Sequence, residues 1–264
     1  MVEIMGILNA TPDSFSDGGL HSLTSAAIDA GLRMVEAGAE IIDVGGESTR
    51  PGSNPVESAQ EIARIVPVVQ GLAEMGVKVS IDTMKAPVAE AALDAGATFI
   101  NDVSAGRDPA MLPLAAKHGV EICLMHMQGD PRTMQIDPQY RDVVAEVAEF
   151  LLARAEAAMA SGIAREKIWL DPGIGFGKTV EHNVVLLRAT ATFVALGFPV
   201  LIGASRKGFL GRLASGEEKP LPVDQREEAT LAAHAISQLA GAKMIRTHDV
   251  GRGVRFARTL ASLS

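Results

Sequence analysis

Short apolar runs recur along the chain at intervals that a helix can fill. They are "EIMGILN" at 3–9, "EIIDV" at 40–44, "KVSID" at 78–82 and "TFIND" at 98–102, then "EICLMHM" at 121–127, "KIWLD" at 167–171, "PVLIGAS" at 199–205 and "KMIRTHD" at 243–249. Each is nearly continuous in apolar character rather than alternating, as parallel strands buried on both faces should be. Between them lie segments with helical spacing, such as "SAAIDAGLRMVEA", "VESAQEIARIVPVVQGLAEM", "YRDVVAEVAEFLLARAEAAMA" and "REEATLAAHAISQLA". "VGRGVRFARTLASL" forms a last helix. A glycine stands between each helical segment and the next apolar run: Gly38, Gly76, Gly96, Gly119, Gly162, Gly197 and Gly241. Glycine tolerates the left-handed conformation that closes a helix.

Eight strand–helix units predict an α/β fold, a closed (β/α)8 barrel of the TIM type, with a doubly wound open sheet as the runner-up. The spacing shows no linker and no change in composition, which predicts a single domain over residues 1–264. In such barrels functional groups collect at the C-terminal ends of the strands. Those ends carry Asn9, Asp43 with Glu47, Asp82, Asn101 with Asp102, Met125 with His126, Asp171, Ser205-Arg206-Lys207, and Arg246 with His248. Asp or Asn directly after several apolar residues, at five ends, is costly unless it serves a site.

Composition narrows the classes. The chain has 264 residues, 47% of them hydrophobic, so a large core is within reach. Its 24 Lys and Arg against 32 Asp and Glu, a formal charge of -8, argue against non-specific nucleic-acid binding. The one cysteine, Cys123, excludes an internal disulfide and a cysteine metal cluster. The N-terminus lacks the pattern of a signal peptide, and no apolar run approaches a membrane span, which predicts a soluble cytoplasmic protein.

Two loops invite comparison with phosphate sites. "DPGIGFGKT" leaves three residues between Gly173 and Gly177, one too few for a P-loop, and it does not fit Gly-x-Gly-x-x-Gly. In "GASRKGFLG" small residues end the strand, two cations follow and a helix should start near Gly208. Free N–H groups there, with Lys207, suit an anion or an electron-rich carbonyl.

Together "GILNATPDSFSDGG", "IIDVGGESTRPG", "SIDT", "INDVSAG", "LMHMQGDPRTMQ", "DPGIGFGK", "GASRKGFLG" and "IRTHDV" resemble the dihydropteroate synthases, a family of pterin-binding enzymes. The resemblance spans every strand end in order. It implies a transferase of folate synthesis, the target of sulfonamides. Such an enzyme joins 6-hydroxymethyl-7,8-dihydropterin diphosphate to p-aminobenzoate and releases 7,8-dihydropteroate and pyrophosphate with the help of Mg²⁺. It further implies that Asp171 and Asn101 read the pterin edge, with Asp82 as a second carboxylate beside the ring. Lys207 would bind the ring carbonyl, Met125 would pack on the ring, and Gly203, Ser205 and Asp43 would belong to the substrate-binding set. Arg246 and His248 would hold the diphosphate, and Asn9 the metal it carries. Phe176 and two loops, with Phe15 and Asp17 on one and Thr49, Arg50 and Pro51 on the other, would enclose p-aminobenzoate. The resemblance also implies a homodimer through late helices. A pterin-binding methyltransferase and a non-catalytic pterin-binding paralogue are the alternatives.

Overall fold

The computed structural model describes residues 2–11, 20–48, 52–216 and 219–264. Eight strands alternate with helices: β1 (Glu3–Asn9), β2 (Ile41–Gly45), β3 (Val79–Asp82), β4 (Phe99–Asp102), β5 (Glu121–Met125), β6 (Ile168–Asp171), β7 (Leu201–Ile202) and β8 (Met244–Thr247). All pair in parallel, in the order β6-β5-β4-β3-β2-β1-β8-β7. Chain neighbours are therefore sheet neighbours throughout, which a doubly wound sheet could not give. A bridge between Leu170 and Val200, with the Leu170 N–H donating to the Pro199 carbonyl at 2.9 Å, brings β6 against the approach to β7 and nearly closes the ring. Here the sequence pattern overreaches: "PVLIGAS" yields only a two-residue strand. Pro199 has no N–H to give a ladder, so the seam is the barrel's weakest pairing.

Outside lie α1 (Leu20–Glu36), α2 (Ser58–Glu74), α3 (Ala86–Asp94), α4 (Met111–His118), α5 (Val143–Ala160), α6 (Val180–Arg188), α7 (Thr190–Val194), α8 (Gly208–Ser215), α9 (Glu227–Leu239) and α10 (Val250–Leu263). One helix per strand is thus an undercount, because β6 and β7 are each followed by two. The seven glycines that separate helix from strand all have positive φ; Gly119 at the end of α4, φ 62°, is the clearest closure. Among the described residues, no helix is long and apolar enough to cross a membrane.

The strands face two ways, since successive side chains point to opposite faces. Outward, Ile42, Val44, Ile81, Ile100, Ile122, Leu124, Leu170 and Ile245 join the helices in one large core. Inward, Met5, Ile41, Phe99, Cys123, Trp169, Leu201 and Met244 fill the barrel as a separate apolar layer, one residue from each of seven strands. Phe99 and Trp169 meet edge to face at 5.8 Å. Below them the Trp169 indole N–H donates to Glu121, which also pairs with Lys78 at 2.7 Å.

Candidate active site

Two residues beyond four of the seven inward apolar side chains, the same face of the strand turns polar. Ile41 leads to Asp43, Phe99 to Asn101, Trp169 to Asp171 and Met244 to Arg246. Cys123 leads to Met125 and Leu201 to Gly203. Ser80 leads to Asp82 on β3, and the β1 face ends on Asn9. The period of two thus puts one ring of polar groups directly above the apolar layer, at a single mouth.

Asp43 is fully buried and saturated. It accepts from the Ser80 hydroxyl at 2.6 Å, the Asn101 amide at 2.9 Å and the Arg246 Nε at 2.6 Å. A terminal nitrogen of Arg246 donates to Asp82 Oδ2 at 2.6 Å. The other oxygen, Asp82 Oδ1, is buried and has no hydrogen-bond partner among the described residues. Such an atom is costly unless a ligand meets it. Burial lifts the Asp82 carboxyl to about 7, with Arg246 opposing and Asp43 assisting. Burial pulls the Arg246 guanidinium down, but Asp43 and Asp82 more than offset this, so its net shift is upward.

Asp171 is buried, and its Oδ1 accepts from the Gly173 N–H at 2.7 Å. Burial raises its carboxyl, against that hydrogen bond and the charge of Lys207. A Cβ placed on Gly203 would stand 3.9 Å from both Asp171 Oδ2 and Arg246 Cβ, an ordinary van der Waals contact, so the acid and the cation both reach this glycine. Lys207 precedes α8, which begins at Gly208 as the sequence predicts. Its ammonium donates to the Ile174 carbonyl and sits 3.9 Å from the centre of the Phe176 ring. Burial lowers it to about 7, with Asp171 opposing. Met125 packs with Val103, Met127 and Met134, and Met84 and Phe176 cover them as a soft apolar wall.

His248 Nδ1 lies 2.9 Å from the Ser205 hydroxyl, and the backbone N–H of His248 donates to the same oxygen at 3.2 Å. Beside it a cleft of about 310 Å³ is lined by Arg33, Met34, Arg206, Asp249 and Gly251. The two cations of "SRK" part company. Lys207 faces the mouth, while Arg206, at φ 57°, pairs its Nε with Glu227 of α9 at 3.3 Å.

The loop after β2 is tied at its base. Lys85 donates to Glu47 at 2.6 Å, to Glu61 at 2.7 Å and to the Val56 carbonyl at 2.5 Å. Thr49, Arg50 and Pro51 in that loop, and Phe15 and Asp17 after β1, lie outside the described residues. Sequence reasoning overlooked Ser80, Lys85, Glu61 and Lys178. Of these Ser80 lies in "SIDT" and Lys178 in "DPGIGFGK", but nothing local to either announces its burial or its partner.

These elements have counterparts in known proteins. The model of the pterin binding enzyme family matches residues 5–248. A dihydropteroate synthase of Mycobacterium leprae is 50% identical over 257 residues, which cover 96% of this chain and 90% of that protein. The structure of Xanthomonas albilineans dihydropteroate synthase with 4-aminobenzoic acid matches at a TM-score of 0.92 and 43% identity, over 99% of this chain and 93% of that one. The enzyme from the same organism in complex with 7,8-dihydropteroate matches at 0.88 and 40%, over 99% and 93%. Matched along nearly its whole length, the chain belongs to the pterin-binding enzyme family, as one of its dihydropteroate synthases.

Proposed function

We propose that this chain joins the methylene carbon of 6-hydroxymethyl-7,8-dihydropterin diphosphate to the amine of p-aminobenzoate at the mouth of the barrel. The observation that carries the assignment of residues is the unsatisfied Asp82 Oδ1, set in a ring with Asn101, Asp171 and Lys207. Asp171 accepts from the amide and amine edge of the pterin. Asn101, one of whose donors is engaged by Asp43, keeps further polar capacity for the ring nitrogens. Lys207 donates to the ring carbonyl, and the Met125 side chain takes one face of the pterin. Two N–H groups of Arg246 are held by Asp43 and Asp82, which leaves the rest of its fork for phosphate oxygens alongside His248.

In the reaction the C–O bond to the diphosphate breaks first. The positive charge left on the methylene spreads into the electron-rich ring, where Asp82 and Asp171 favour it. The neutral aromatic amine attacks and then loses its proton to solvent. No strong general base is needed, and the Ser205 hydroxyl beside His248 Nδ1 is read as holding that imidazole toward the phosphate oxygens rather than as an activated nucleophile. Phe176 supplies an aromatic face for p-aminobenzoate. The sequence expectation that Phe15, Asp17, Thr49, Arg50 and Pro51 complete that pocket belongs to the same proposal.

Mg²⁺ is part of it too. Among the described residues no three His, Cys, Asp or Glu side chains are grouped to hold a metal, and Asn9 offers one amide oxygen at the end of β1. That donor set fits an ion that arrives on a diphosphate and keeps several of its waters. When bound, the ion neutralises charge on the leaving group.

We also read the chain as one domain and as a homodimer. Exposed Val185, Ile236, Leu239 and Leu263 on α6, α9 and α10 support the latter. Sedimentation at micromolar concentration tests it. The activity is tested by coupled detection of pyrophosphate, which should appear only when p-aminobenzoate is present. Release at the same rate without the amine would overturn the reading.

A further inference from the structure

The loop between β6 and α6 is held at successive carbonyls by different side chains. Lys207 takes the carbonyl of Ile174, Gln135 that of Gly175 at 2.7 Å, Lys178 that of Phe176 at 2.9 Å and Tyr140 that of Gly177 at 2.8 Å. A loop backbone needs partners, but four consecutive partners, two of them from the β5–α5 loop, amount to a frame. The loop also lies directly on the end of β5. A Cβ on Gly173 would stand 1.8 Å from the His126 carbonyl oxygen, and one on Gly177 would stand 2.6 Å from that of Gln128.

Lys178 sits at the centre of this seam. Its residue is only 3% exposed, and its ammonium reaches back to the Phe176 carbonyl and across to His126. There it meets Nδ1 at 3.0 Å and the carbonyl oxygen at 3.4 Å. His126 is in turn wedged edge-on against Phe150 at 4.9 Å. A lysine is rarely buried so deeply without a task. Its hydrogen bonds reach neither Gly203 nor the unsatisfied oxygen of Asp82. What it fixes is the segment that presents the Phe176 ring beneath Lys207.

We propose that Lys178 is a positioning residue for the aromatic-amine substrate: by clamping the Phe176 carbonyl to the end of β5, it holds the Phe176 ring as a preset face for p-aminobenzoate. This rests on the reading of function above and adds a residue to it. Preset faces lower the ordering cost of binding, so loosening the clamp weakens capture of the amine and not of the pterin.

The test is steady-state kinetics on the full chain, with a double-mutant cycle. Lys178→Met is expected to raise KM for p-aminobenzoate by about tenfold and to leave KM for the dihydropterin diphosphate within about threefold. In a Phe176→Ala background the same change should add less than about twofold, because the ring it positions is gone. Lys178→Gln, which keeps a donor for the carbonyl, should restore KM to within about threefold of the wild type. Tyr140→Phe loosens the neighbouring carbonyl without removing a buried charge. It is the arm that stands if Lys178→Met does not fold, with an expected rise of roughly threefold in the same KM. Equal losses in both KM values, additive effects with Phe176→Ala, or an unchanged KM in Tyr140→Phe would overturn the proposal while leaving the activity in place. A wild-type chain without amine-dependent pyrophosphate release would instead remove the reading on which it rests.

Discussion

Arg246, at the end of β8, reaches across the barrel to Asp82 at the end of β3, and the two side chains meet at 2.6 Å. The strands they leave are separated in the sheet by β1 and β2. The guanidinium spans that width while its Nε holds Asp43 of β2. One cation therefore compensates two inward carboxylates, and its stem lies beside Gly203.

Removing that cation leaves two buried acids without their counter-charge. Arg246→Met is expected to lower the stability of the ligand-free protein by about 3–5 kcal/mol, the usual cost of breaking a buried ion pair. Adding Asp43→Asn should recover part of the loss, since one of the orphaned charges is then gone. Urea denaturation of the two variants measures both quantities. Equal stability of the single and double variants would show that the pairing contributes nothing.

Asp82 and Lys207 approach neutrality from opposite sides. Burial carries the carboxyl up to about 7 and the ammonium down to about 7. The charged forms of both coexist best near that pH. A bell-shaped profile of kcat/KM for the dihydropterin diphosphate is expected, its acid limb from Asp82 and its alkaline limb from Lys207. Asp82→Asn should cost on the order of 10²–10³ in rate and flatten the acid limb. A wild-type profile that is level from pH 5 to 9 would count against the assignment.

Lys207 also sets a conflict between stability and binding. Its ammonium titrates near 7 in the folded chain, well below the ordinary lysine value of 10.5. Between those limits the unfolded chain holds the proton and the folded chain does not, so this group makes stability rise with pH across the window. Below it the whole cost of a buried ammonium is present. Lys178, also lowered to about 7 by burial, acts in the same sense. Lys207→Met should accordingly raise the melting temperature at pH 6–7, reduce its upward slope toward pH 10, and abolish turnover. Thermal melts across that range, taken without ligand, decide it.

Two glycines with similar φ separate backbone strain from close approach. Gly76, at φ 76°, would meet nothing within 4 Å if it gained a Cβ, whereas Gly173, at φ 69°, would strike the His126 carbonyl. Gly76→Ala is expected to cost about 1 kcal/mol from left-handed strain alone. Gly173→Ala must also push the β6–α6 loop off the end of β5, and a cost more than about twice as large should follow, with lost activity. Comparable denaturation midpoints for the two would mean that the loop seam yields easily.

Much of this architecture could be read in one dimension. Strand identity, the helix-closing glycines and the set of polar strand ends all follow from periodicities that neighbouring residues carry between themselves. The resemblance of those ends to dihydropteroate synthases is likewise carried by short local motifs. Other features depend on ring closure. Arg246 and Asp82 stand 164 residues apart in the chain, and nothing local to either announces the bond. Lys178 looked like a failed nucleotide motif until folding laid its loop on His126. Arg206, adjacent to Lys207, turned toward α9 because a single positive φ redirected it. Pattern settles which face of each element is buried, since that depends on steps of two or three to four residues. Which charge meets which is decided only when the sheet curls and water leaves the mouth.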